Sequence, residues 1–381
     1  MELKNNRVLS IDVLRGISLF GILVVNMLSF HSPYLYVNSP FELSKSSMDD
    51  GIIAIIDIFF QASFYPLFSF LFGYSLLLLK NSCDKKGISF VPVALRRLTF
   101  LLMIGIIHAF FIWHGDILIN YAVLAFLFLL FISLDGRKLF YIGTSLLLVP
   151  NILLTLLFSV MNETAPETIF QTDDLKIEEV TNNYKSGSFI DVTTQRFEDW
   201  YYVNNVGNSI FFLISIFPMF LLGAAFYKLQ FFQKSFISKL KGWGIFFGMI
   251  GLLIKCGPFM FGQRLDLEFA QDALGGPILS LSYIFLITYF CEKFNDNKIW
   301  RYLQQIGKMS ISNYLLQSVV ATFIFYGYGL GFYGEITVTQ GTMLAIFIYS
   351  IQMIVSNHWL KKHTYGPVEK LWRDITYKKF L

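Results

Sequence analysis

Ten runs of apolar residues, each about twenty long and each followed by a polar or basic segment, leave this chain few ways to fold. A helix rises about 1.5 Å per residue, so each run can span the roughly 30 Å hydrocarbon core of a bilayer. In lipid every backbone amide and carbonyl must pair internally, which selects helices. The runs fall at roughly 14–31, 55–79, 98–113, 116–134, 140–160, 207–227, 242–262, 273–291, 309–328 and 340–357. Only 15% of the 381 residues are charged, against about 25% in a soluble protein. The expectation is an all-α polytopic membrane protein of about ten transmembrane helices, forming one domain over 1–381 with the lipid bilayer as its first partner.

The basic residues orient the helices. Counting from an inside N-terminus, the segments 1–13, 80–97, 135–139, 228–241, 292–308 and 358–381 face inward and hold 23 of the 30 Lys and Arg. The outward segments hold six: Lys45, Lys176, Lys185, Arg196, Lys255 and Arg264. That asymmetry follows the positive-inside rule and predicts both termini inside. A net charge of +4 distributed in this way is a topology signal, so no nucleic-acid partner is expected. Cys83, Cys256 and Cys291 lie far apart without metal-ligand spacing, and neither a disulfide framework nor a metal site is expected. The N-terminus starts basic but has no small-residue cleavage site, so the first run reads as a retained helix.

Two segments stand outside the spans. The acidic stretch 162–206 is read as a partly helical extracytoplasmic cap. The tail 358–381 mixes Trp359, Trp372 and Tyr377 with six basic residues and is read as a cytoplasmic interfacial anchor. Gly223, Ala224 and Ala225 are expected to serve close helix packing. No internal repeat is visible, which disfavours an inverted-repeat transporter.

Polar residues inside spans are costly and mark functional sites by default. The topology puts Asn26, Gln61, Tyr65, His108 and Asn120 of four consecutive spans at similar depth, with His114 and Asp116 as a rim above them. A shared polar chamber is one reading; hydrogen-bonding glue between helices, below about 1 kcal/mol per pair, is the other. At the inner mouths lie Asp12 and Arg15, spaced to pair on one helix face, and Lys308, Ser310, Ser312, Asn313 and Gln317. An arginine there can instead fork onto a phosphate.

The segments RVLSIDVLRGISLFGILVVNM, FYPLFSFLFGYS, RRLTFLLMIGIIHAFFIWHGDILINYA, PMFLLGAAFYK, IGKMSISNYLLQSVVATFIFYGYGLG and YGPVEKLWRDITY resemble, in that order, the bacterial YeiB-like membrane proteins, a family of unknown function. That family is similar in turn to the transmembrane acyltransferase superfamily, which includes the lysosomal heparan-α-glucosaminide N-acetyltransferase and bacterial O-acyltransferases. The shared features are IDVLRG at 11–16 and a polar residue eleven positions after Arg15. The bacterial O-acyltransferases carry a catalytic His at that later position; here it is Asn26. The lysosomal enzyme also has Asn there and draws its His from the following outer loop; His31 is the nearest candidate here, but its surroundings do not match. His108 and Asp116 match the YeiB-like pattern, whereas position 114 varies in the family.

The resemblance implies a multi-pass protein of the bacterial plasma membrane and acyl transfer from cytoplasmic acyl-CoA, as co-substrate, to a hydroxyl or amine of an envelope glycan or small molecule. Arg15, with Asn313 and Gln317, would hold the donor. His108 would be the general base and Asp116 its orienting carboxylate. Asn26, Gln61, Tyr65, His114 and Asn120 would face the acceptor. The rival is a transporter or permease for a small anionic metabolite or lipid; a structural or sensory membrane protein is the third reading. The assembly state is open, a homodimer included.

Overall fold

The structure, a computed structural model, describes residues 3–164 and 174–377. Residues 165–173 of the expected cap and 378–381 of the tail lie outside them. Every element among the described residues is helical. In chain order they are α1 (Leu3–His31), α2 (Ser47–Phe59), α3 (Phe64–Lys85), α4 (Phe90–Phe111), α5 (Leu118–Phe128) and α6 (Gly136–Thr164). Then come α7 (Asp174–Ser186), α8 (Phe189–Asn204), α9 (Val206–Lys228), α10 (Lys234–Lys255), and the short α11 (Gly257–Phe261) and α12 (Leu265–Ala270). A π-helical turn, Gln271–Gly275, leads into α13 (Gly276–Lys293), followed by α14 (Lys298–Lys308), α15 (Ser310–Phe325), α16 (Val338–Lys362) and α17 (Pro367–Thr376).

The chain is a polytopic membrane protein: eight of its described helical segments are long and apolar enough to cross a bilayer. The fourth and ninth expected spans correspond to the shorter apolar helices α5 and α15, of 11 and 16 residues. At about 1.5 Å per residue α5 is about 16 Å long, half a hydrocarbon core. The shortening has a local cause, because the chain between α4 and α5 leaves the helix at Ile112 and re-enters at Leu118, bringing polar residues into the bundle.

The second expected span is also broken. α2 ends at Phe59 and α3 begins at Phe64, with Ala62 between them at φ 53°. A residue with a Cβ enters that region at a cost, so the break is held by its surroundings.

Close backbone approach fixes the centre of the bundle. A methyl group on Gly73 of α3 would collide with the Phe220 carbonyl of α9, and one on Gly223 of α9 with the Phe70 carbonyl of α3. The two glycines therefore let the helices interlock reciprocally, as small residues do in membrane bundles. Gly223, Ala224 and Ala225 are buried there, as their size implied. At one end of the bundle, the amphipathic α14 packs along α1 and α17 folds back against α4 and α15. This is the basic end. At the opposite end α8 packs over α4 and α9, and α7 packs on α8, as a cap.

Candidate functional site

His108 sits one turn before the end of α4 and is fully buried. Its Nδ1 lies 2.8 Å from Asp116 Oδ1 and its Nε2 lies 2.8 Å from Ser318 Oγ. The turn that carries Asp116 is shaped by Trp113 and Gly115. Trp113 is buried against Phe30, ring centroids 4.1 Å apart, and a side chain on Gly115 would strike the Trp113 indole. Asp116 Oδ2 accepts the Ile119 amide at 2.8 Å. One carboxylate thus starts α5 and orients the imidazole. With Nδ1–H donating to Asp116, the Nε2 lone pair faces the Ser318 hydroxyl. Asp116, His108 and Ser318 form a continuous carboxylate–imidazole–hydroxyl chain across α4, the turn and α15.

Two cavities flank this chain. The larger, about 420 Å³, lies at the basic end. Arg15, Arg97, Lys308 and Arg373, from four helices, contribute its cations, and Leu19, Phe68, Leu71, Phe72 and Leu101 contribute apolar wall. The smaller, about 110 Å³, is lined by Asn26, Tyr65, Ala62 and Gly115 among others. Ile22, Ile117 and Tyr314 line both, so the cavities abut there. Tyr314 donates from its hydroxyl to the Gly115 carbonyl at 3.3 Å and lays its ring 5.0 Å from the His108 ring. His108 and Ser318 line neither cavity; Tyr314 stands between them and the open space.

Of the residues expected around the donor, Arg15 lines the larger cavity, held by Asp12 at 2.9 Å and by Ser75. Asn313 and Gln317 face α16: Asn313 donates to Ser356 Oγ at 3.0 Å and Gln317 to Gln352 Oε1 at 2.9 Å. Tyr314 and Ser318, each one position further along the same helix, are the residues turned toward His108. Of the expected chamber, Asn26 and Tyr65 share the smaller cavity. Gln61 lies in the α2–α3 break and offers its carbonyl to Lys255. Asn120 donates to Asn204 of α8 at 2.8 Å.

His114 belongs to the cap. Its Nε2 is 3.2 Å from Ser29 Oγ and its Nδ1 3.1 Å from the Tyr184 hydroxyl, which donates to Asp199 at 2.7 Å. Tyr36 also donates to Asp199, at 2.6 Å. Burial and the neighbouring carboxylate push the Tyr36 phenol above its usual range, and burial, with the Tyr326 phenol and Asp199 nearby, does the same for Tyr184, so both stay protonated donors. Burial holds the His114 imidazole below its ordinary range. The fully buried Arg196 donates to the Phe111 carbonyl and the Tyr328 hydroxyl, tying α8 to the end of α4.

Two further groups have roles that the sequence did not point to. Lys255, counted above with an outward segment, is fully buried. It donates to the Gln61 carbonyl at 3.0 Å and pairs with Asp272 at 3.1 Å, while Gln271 bridges the Lys255 carbonyl to Asp57. A broken helix, a π-helical turn and a buried ammonium thus meet at one point. Arg97 and the tail residues Glu369, Trp372 and Arg373 line the larger cavity. A signal for Ser318 existed in its spacing: with Tyr314 at i, i+4 it defines a second polar face on α15.

Residues 226–379 match the family described as "Protein of unknown function (DUF418)", a span that includes Lys255, Tyr314, Ser318 and α17 but not His108 or Asp116. The uncharacterized protein YxaH of Bacillus subtilis (strain 168) is 35% identical over 391 residues, covering 98% of this chain and 95% of its own. The uncharacterized protein YeiB of Escherichia coli (strain K12) is 25% identical over 387 residues, covering 97% and 96%. An uncharacterized 39.9 kDa protein of Bacillus acidopullulyticus is 26% identical, covering 98% and 95%.

Proposed function

The chain belongs to the YeiB-like (DUF418) family of membrane proteins, and on that premise we propose that it is a membrane-embedded acyltransferase of the bacterial plasma membrane. It moves an acyl group from cytoplasmic acyl-CoA to a hydroxyl or amine of an envelope acceptor. One observation carries the reading: a cation-rimmed, apolar-walled cavity ends at Tyr314, directly beside an imidazole held between a carboxylate and a hydroxyl.

The basic end faces the cytoplasm, in line with the loop charges. The CoA phosphates stay at the rim, where Arg15, Lys308 and Arg373 complement them. The acyl chain enters along Phe68, Phe72 and Leu101, where burial of each methylene contributes about 0.8 kcal/mol. The acceptor approaches from the smaller cavity, past Asn26 and Tyr65. His108 is the general base and Asp116 keeps its Nδ1 protonated. The Tyr314 side chain swings aside to admit both substrates to His108.

The test is turnover by the purified full-length protein. Octanoyl-CoA should release free CoA in an acceptor-dependent reaction, and His108→Ala should abolish the release. Protein that neither binds nor turns over acyl-CoA sinks the reading.

A second reading, a permease for a small anion, draws on a different observation. Lys255, Asp272 and Asp57 meet at a helix break, a pattern that suits ion or proton coupling at membrane depth. Proteoliposomes that accumulate an anion under an imposed proton gradient, with loss in Lys255→Met, would favour it.

A further inference from the structure

The Asp116–His108–Ser318 chain has a property that general-base catalysis by His108 alone does not use. A base that deprotonates an acceptor directly needs its Nε2 free to meet that acceptor. Here Nε2 is already engaged, 2.8 Å from a side-chain hydroxyl of another helix. Ser318 Oγ has one other acceptor in reach, the Tyr314 carbonyl one turn back, at 3.4 Å. A serine serving only as helix glue satisfies itself on that carbonyl; this one lies closer to the imidazole. Asp116 is locked by the Ile119 amide, so it fixes the tautomer that leaves the Nε2 lone pair on Ser318. These are the spacings and roles of an activated serine.

We propose that Ser318 is a nucleophile and that the transfer, read as acyl transfer above, proceeds through an acyl-Ser318 intermediate in two displacements. In the first, His108 Nε2 takes the Oγ proton as Oγ bonds to the thioester carbonyl carbon. The C–S bond then breaks, and Nε2–H returns the proton to the leaving CoA thiolate. In the second, the acceptor hydroxyl or amine gives a proton to Nε2 and attacks the ester carbonyl. The bond between the acyl carbonyl carbon and Ser318 Oγ breaks, and Oγ regains its proton from Nε2–H. Neither cavity touches Ser318 while Tyr314, one turn away and on the wall of both, is in place; when its side chain swings aside, the donor reaches Ser318 from the larger cavity and the acceptor from the smaller. A covalent intermediate suits a site where the cavities meet only at Ile22, Ile117 and Tyr314, since donor and acceptor need never be present together.

The experiment uses the full-length protein in detergent and a long-chain alkyl fluorophosphonate, a probe that reports an activated serine whatever the natural donor. The expected result is a stoichiometric phosphonyl adduct mapped to Ser318 by tandem mass spectrometry and lost in His108→Gln. Octanoyl-CoA turnover should fall about 10³-fold or more in Ser318→Ala. The adduct is read on the unaltered protein, so it holds if a variant fails to fold. Absence of an adduct at Ser318 overturns the proposal. So does octanoyl-CoA turnover at the native rate in Ser318→Ala; the transfer would then be direct and the acyltransferase reading would survive. An adduct on a protein silent toward octanoyl-CoA keeps Ser318 as nucleophile and removes acyl-CoA as donor.

Discussion

The carboxylate of Glu369 accepts the backbone amide of Ile311 at 2.8 Å, joining the C-terminal helix to the first turn of α15. It also accepts from the amide and hydroxyl of Ser312. An anion at a helix start satisfies amides that have no partner within the helix and meets the positive end of the dipole. Trp372 Nε1 donates to the Arg97 carbonyl at 2.8 Å, and the Arg97 guanidinium lies 3.6 Å from the Trp372 ring. The tail is therefore a wall of the larger cavity. Glu369→Ala should weaken docking of α17 by about 2 kcal/mol, the range for hydrogen bonds to a charged group. Hydrogen exchange over 367–377 should speed up accordingly; unchanged protection would show that the carboxylate does not hold the tail.

Topology can be checked on intact cells. In a background with Cys83, Cys256 and Cys291 replaced, Lys185→Cys should react with a membrane-impermeant maleimide. Lys370→Cys should react only after permeabilisation. Both lysines are exposed, at the capped and basic ends respectively. The reverse pattern would invert the positive-inside assignment and with it the direction of transfer.

The cap should respond to acid through His114. Its folded-state pKa lies below the unfolded value because burial disfavours the imidazolium. Below an unfolded pKa near 6.5 the unfolded state binds the extra proton, so stability is complete above that pH and declines as pH drops toward the folded value. Between pH 7.5 and 5, α7 and α8 should become more open to proteolysis in the native protein. His114→Gln, which cannot titrate, should flatten that dependence. An equal acid response in both proteins would place the sensitive group elsewhere.

The carboxylate–imidazole pair separates stability from turnover. Asp116→Asn retains an oxygen for the Ile119 amide but can no longer fix the imidazole tautomer, so it should lower turnover about 10³- to 10⁴-fold with little loss of folded protein. His108→Ala leaves a buried carboxylate without its partner, which should destabilise by about 3–5 kcal/mol. Turnover and thermal melting in one detergent distinguish the two; an active Asp116→Asn variant would remove Asp116 from the mechanism.

What was legible in the sequence follows what is periodic and local. Apolar runs gave the helices, because hydropathy acts over whole segments, whereas loop charges speak to orientation alone. His108 and Asp116 stood eight positions apart and matched the YeiB-like pattern, and the route by which they meet is a broken turn stiffened by Trp113. Asn313 and Gln317 stood out as polar residues in an apolar helix, yet a one-position shift turns a side chain by about 100°, and that shift sends them to α16 and Tyr314 and Ser318 to His108. Lys255 read as a loop cation because nothing local marks the π-helical turn or the break at Ala62 that bury it. The tail's role in the cavity depends on contacts from 57 to 275 residues apart, for which no periodicity exists.

The apolar bore makes a last prediction, about chain length. Leu101 lines the larger cavity and not the smaller, so Leu101→Phe should narrow the bore without touching its cations or the junction at Ile22, Ile117 and Tyr314. If the acyl chain lies in the bore, its terminal methylenes lose their room while the head is unaffected. At about 0.8 kcal/mol per methylene, loss of space for two should cut kcat/KM for decanoyl-CoA about tenfold or more and leave acetyl-CoA near its native value. The ratio of the two substrates, measured on one preparation, cancels any loss of active protein. A ratio equal to that of the native protein would place the chain elsewhere, along the lipid-facing surface of α4, and the 420 Å³ cavity would then have to serve the headgroup alone.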